Sequence, residues 1–170
     1  ELLDEAFAGD IIGLPNHGVL QLGDTLTEGE GLHFTGLPFF APEMFRSVEV
    51  ADPLRGKQLK AGLTQLGEEG AIQVFRPVAS SMLLLGAVGQ LQFEVVAHRL
   101  EHEYGVRARI QPSRFQVARW VTCDDAKELQ RFIDGNAHRV AYDAVDAPTV
   151  LVEYAPELRA IESNWPKIKF

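Results

Sequence analysis

FRSVEVADPLRGKQLKAGLTQLGEEGAIQVFRP (residues 45–77), followed by MLLLGAVGQLQFEVVAHRLEHEYGVRARIQ (82–111), decides the fold. FRSVEV puts Val48 and Val50 on one face, as in a strand. Asp52-Pro53 then supplies an N-cap and a first-turn proline, and Leu59, Leu63 and Leu66 recur at helical spacing until Gly70. IQVFRP (72–77) reads as a strand. MLLLGAV (82–88) is apolar throughout, which predicts a central strand buried on both faces. A second helix opens at Gly89, with Phe93, Ala97, Leu100 and Tyr104 on its inner face, and stops at Gly105. VRARIQ (106–111) alternates, with Val106, Ala108 and Ile110 inward and Arg107, Arg109 and Gln111 outward. The order β-α-β-β-α-β is that of a ferredoxin-like unit, whose first and third strands are central. The fold class is α+β.

Outward from this unit, residues 115–170 predict a smaller α+β lobe packed against it. FQVARWVT is a strand, and Asp124 caps a helix with Leu129, Phe132 and Ile133 inside. RVAYDAVDAPTVLVEY is a hairpin, and PELRAIESNW is a short helix before KIKF. On the other side, GDIIGL, VLQLGDTLT and the turns between them over residues 9–36 read as short strands. Two or three such strands cannot close a barrel, so they predict the end of a β-barrel that starts upstream. LPFFAPE is a stiff connector. The predicted division is 1–41, 42–112 and 113–170. The chain opens at Glu1 and not at Met, which fits a piece of a longer protein.

Charge supports the first boundary. Residues 1–41 hold seven acids and no Lys or Arg, whereas the remaining 129 hold 17 acids and 16 bases. The net charge of −8 argues against a general nucleic-acid binder, and DNA is not an expected partner. No apolar run approaches the roughly 18–20 residues of a membrane span. A single cysteine, Cys123, excludes an internal disulfide framework. A cytoplasmic protein is expected.

Neither GxxxxGK[ST] nor NKxD occurs, so no GTP binding or hydrolysis, and no catalytic residue, is expected here. GAVG (86–89) joins a strand to a helix N-terminus, where N–H groups could hold phosphate, but a tight turn explains the glycines better. Glu94, His98 and His102 are spaced i, i+4, i+8. Without further ligands they read as a solvated face, and no metal is expected. Glu68 and Glu69 stand in the last turn of the first helix, against its dipole; they are candidates for a contact surface, though an exposed acidic turn explains them better, since such costs are small. Arg99, Arg107, Arg109, Arg114 and Arg119 place five guanidinium groups within 21 residues. Arg107 and Arg109 should leave the open face of the sheet, suited to RNA phosphate or an acidic protein, unless cross-strand Glu49 takes them up. Cys123 reads as a packed thiol and Ser80-Ser81 as a loop pair.

GDIIGL and LGDTLTEGE resemble the barrel domain of translational GTPases. GAVGQLQFEVVAHRLEHEYGV resembles the third domain of that superfamily, where elongation factor G carries GELHLE in place of GQLQFE. FTGLPFFAPEMFR, QLGEEGAIQVFRP and VARWV-x-C are similar to the release factor 3 family in particular. The resemblance covers essentially the whole chain. It implies a GTPase that removes the codon-reading release factor from the ribosome after peptide release, with GTP or GDP held by a preceding domain. The implied partners are the ribosome, through rRNA and small-subunit protein, and the protein's own GTPase domain. No binding residue is carried over, because the shared motifs are packing motifs. The alternatives are a related ribosome-associated GTPase, a stand-alone ferredoxin-like module for a small metabolite, and a zinc enzyme using His98 and His102.

Overall fold

A computed structural model of the protein describes residues 4–15, 19–20, 23–35 and 40–170. The chain forms two units, Glu1–Leu37 and Pro38–Phe170. Among the described residues of the first unit no strand is present; positions 16–18, 21–22 and 36 of the stretch expected to form strands lie outside them. Turns take their place. Asp10 N–H donates to the Phe7 carbonyl (3.0 Å), and Thr27 Oγ1 donates to the Glu30 carbonyl (2.6 Å). Gly9, Gly23 and Gly29 adopt positive φ. Residues 37–39 of the predicted connector also lie outside the described residues, while Pro42 is buried.

The second unit carries the expected βαββαβ order: β1 (Met44–Val50), α1 (Gly56–Glu68), β2 (Gln73–Pro77), β3 (Leu83–Ala87), α2 (Gln90–His102) and β4 (Ala108–Pro112). Asp52 accepts from Leu54 N–H (3.0 Å), but it starts a single 3-10 turn before α1. β5 (Val117–Trp120), α3 (Ala126–Gly135), β6 (Val140–Tyr142), β7 (Pro148–Val152) and α4 (Ala155–Asn164) follow. The cap of α3 is Asp125, which accepts from Lys127 and Glu128 N–H (2.9 and 3.4 Å). Asp124, expected in that role, instead binds Lys169 Nζ (2.9 Å), beside the Thr122–Lys169 bridge that holds the C-terminus.

All strands join one antiparallel sheet, ordered β4-β1-β3-β2-β6-β7-β5. β1 and β3 are central in the first half, as expected. The second half joins edge to edge, through Arg76↔Tyr142 and Pro77↔Ala141. Only residues 113–116 connect the two outer strands β4 and β5. Five peptide steps reach at most about 18 Å, whereas six strand spacings of a flat sheet would hold the edges about 29 Å apart. The sheet is therefore rolled.

Three cores follow from the roll. Leu59, Leu63, Leu66, Phe93, Val96 and Leu100 pack α1 and α2 onto one face of the first half. Val96, and not Ala97, is the buried residue between Phe93 and Leu100, because Ala97 faces the helix flank. Phe132, Ile133, Leu158 and Ile161 pack α3 and α4 onto the second half. Inside the roll, Phe45, Phe75 and Leu84 from the first half meet Ala118, Ala141 and Leu151 from the second. Phe75 lies 5.8 Å from Phe45 and 6.1 Å from Trp120, centroid to centroid. Gly86 is required here: an added Cβ would stand 2.7 Å from Pro42 and 2.8 Å from Phe75.

Asp143 ties the seam. Its carboxylate accepts from Trp120 Nε1 (2.8 Å), Val145 N–H (3.0 Å) and Ala147 N–H (2.8 Å), and its carbonyl accepts from the Arg76 guanidinium (2.6 Å). Arg76 also reaches Asp146, which holds the turn at positive φ.

Candidate partner-contact surface

The five arginines that are close in sequence do not form one patch. Arg99, on α2, is drawn into the fold. It binds Glu103 with two parallel bonds (both 2.7 Å) and reaches Glu69 beyond the end of α1 (2.6 Å). Two carboxylates on one guanidinium stabilise its charged form and hold the Glu103 carboxyl below its usual range. Burial raises the Tyr104 phenol alongside. Arg99 thus joins α2 to α1 and offsets the charge of Glu69 at the helix end. Glu68 is exposed and enters no ion pair among the described residues.

Arg107 and Arg109 flank and enter β4 and share a face, as the alternation predicted. That face is not open as expected, because the roll and Phe115 cover most of it. Only the rim at β4 remains exposed. Arg107 is 80% exposed and pairs with Glu101 (2.7 Å), not with Glu49. Arg109 stands directly across from Glu49 in the ladder, yet no carboxylate lies within ion-pair distance of it among the described residues. Arg114 lies in the crossing segment, over the Phe115 ring (5.0 Å) and 3.4 Å from Glu153. Arg119 is on the opposite edge strand, and its guanidinium donates to the Ala118 carbonyl (2.8 Å). Strand alternation puts it on the face of Val117, against α3 and α4.

The GAVG turn is closed by its own helix. Gln92 Oε1 accepts from Val88 and Gly89 N–H (2.8 and 3.2 Å), while Nε2 donates to the Ala71 carbonyl (3.3 Å). Two of the donors that a phosphate could use at this turn, Val88 and Gly89 N–H, are taken. A Gln three residues after the cap is the sequence signature of this arrangement and was the readable signal. His98 and His102 stack on α2, centroids 4.0 Å apart, and His102 Nδ1 lies 2.8 Å from the His98 carbonyl. Glu94 is just over two helical turns, about 12 Å along the axis, from His102, too far for one ion to bind both. No group of three or more metal-type side chains converges among the described residues.

Sequence reasoning missed Asp143, because a turn aspartate carries no long-range signal. It also missed the backbone of β4 as a surface. Among the described residues no helix is long and apolar enough to cross a membrane.

Residues 34–162 match the family described as class II release factor RF3, C-terminal domain. Over 170 residues the whole chain is 71% identical to the peptide chain release factor 3 of Nitrosomonas eutropha and covers 32% of that protein. It is 68% identical over 171 positions to that of Bordetella avium, and 67% to that of Bordetella petrii, with the same coverage. The chain thus spans about a third of the length of these relatives. On this match, the chain belongs to the class II release factor RF3 family, and its residues 34–162 to that family's C-terminal domain.

Proposed function

We propose that the chain is the non-catalytic, ribosome-facing part of a cytoplasmic translation-termination GTPase that promotes release of the codon-reading release factor after peptide release. The observation that carries this reading is the 71% identity, from end to end, with a protein named for peptide chain release. The GTPase domain would hold GTP or GDP, and residues 1–41 would be the end of a barrel domain. The work of this part is mechanical: one rolled sheet with three cores passes on a displacement, because packed interiors do not deform continuously. Its partners would be the ribosome, through rRNA and small-subunit protein, and the protein's own GTPase domain. Arg109, with Arg107, is the favoured contact, since Arg99 is committed to Glu69 and Glu103.

The test uses the full-length protein and salt-dependent ribosome binding. Arg107→Ala with Arg109→Ala should lower ribosome affinity and flatten its salt dependence, with the thermal midpoint nearly unchanged. A clear drop in melting temperature with an unaltered ribosome titration contradicts the assignment. The isolated chain should bind no GTP, and micromolar binding by calorimetry would oppose a non-catalytic role.

A further inference from the structure

β4 is an outer strand, and its register shows which of its backbone groups are spent. Ala51 N–H donates to the Arg107 carbonyl (3.0 Å) and Ser113 N–H to the Phe45 carbonyl (3.1 Å). In an antiparallel ladder such pairs recur at every second residue, so positions 107, 109, 111 and 113 face β1. The N–H and C=O groups of Ala108 and Ile110 point away from the sheet, and nothing among the described residues pairs with them. Pro112, which has no N–H, ends this row.

The two sides of the strand differ. Arg107, Arg109 and Gln111 share one side and are exposed. Ala108 and Ile110 share the other, half-buried against the core beneath α1 and α2. The Arg107–Glu101 pair is exposed, so it contributes at most about 1 kcal/mol and exchanges readily for another carboxylate.

We propose that β4 is a docking edge for an extended segment of a protein partner in which acidic and apolar residues alternate. The added backbone pairs with the outward groups of Ala108 and Ile110. Its acidic side chains meet Arg107 and Arg109, and its apolar ones extend the core beside Ala108 and Ile110. A nucleic acid fits less well, because the row alternates donors and acceptors while a phosphodiester backbone only accepts. A second copy of this chain would crowd four arginines onto one face. The edge geometry carries this docking site; it uses the arginines that the ribosomal reading also names, and a peptide titration without ribosomes tests it separately from that reading.

The test is a titration of the isotope-labelled 170-residue chain with the capped peptide EVDVEV, read residue by residue through backbone amides. Shifts and slowed exchange are expected at Ala108 and Ile110, with KVKVKV inert. Ala108→Pro removes one outward donor at a position where an edge strand tolerates proline. Arg109→Glu reverses the charge without touching the backbone and serves if the proline variant does not fold. Each should weaken binding by about tenfold or more. No binding at millimolar peptide, shifts centred away from β4, unchanged affinity in Arg109→Glu, or displacement of the peptide by a short RNA would each overturn the proposal.

Discussion

The first half of the sheet unit, β1 to β4, and the second, β5 to α4, are each two helices on antiparallel strands, yet they are stabilised differently. The first has a deep helix-side core in which Leu63, Leu66, Val96 and Leu100 are fully buried, and Gly62 lets α1 and α2 approach closely. The second has a smaller core, closed by the edge-on rings of Trp165 and Phe170 against Phe132. What the second half lacks in depth it takes from the roll, where three of its residues complete a core with three from the first. Sharing an interior, and not merely a sheet edge of two residue pairs, makes the halves one body.

The largest effect should come from the shared interior. Phe75→Ala removes a fully buried ring that touches Phe45 and Trp120, at a cost of about 3–5 kcal/mol. Chemical denaturation should show the loss in a single transition; a two-step curve with a stable first half would break the comparison. Gly62→Val should cost about 1–3 kcal/mol, since even a Cβ would stand 2.9 Å from Leu100 and 3.0 Å from Tyr104. Its thermal midpoint should fall although no residue of the second half is touched.

Asp143→Ala comes next, removing the carboxylate that accepts from Trp120 Nε1 and two turn amides, for about 1–3 kcal/mol. Trp120 fluorescence should report it, and Asp143→Asn should recover part of the loss. The smallest effect concerns acid. Glu103 is held below its usual range by Arg99, so its contribution is present above its unfolded value of about 4.3 and is lost as pH falls through the lower folded value. Glu103→Gln should therefore flatten the decline of the thermal midpoint in that acid window; an unaltered slope would remove Arg99–Glu103 from the account.

Most of the first half was legible because its signals are local. Leu59, Leu63 and Leu66 at helical spacing, and the wholly apolar Leu83–Ala87, fix helices and a central strand without knowledge of distant contacts. The second half was legible in its elements but not in its placement. That β6 pairs with β2, and that four residues carry the chain from one edge to the other, depends on pairings between residues far apart in sequence. The arginine cluster failed as a patch for the same reason. A period of two sorts faces within one strand, but it does not tell which carboxylate an arginine meets after the sheet rolls. Asp124 and Asp125 are equal candidates for a cap until Lys169 claims the first.

Native-state hydrogen exchange on the 170-residue chain tests the single body most directly. Core amides on both sides of the seam, Leu85 in β3 and Leu151 in β7, should share one opening free energy, equal to that of global unfolding within about 0.5 kcal/mol. Exchange of Leu151 through an opening several kcal/mol below that of Leu85 would show two halves that come apart, and would contradict the account.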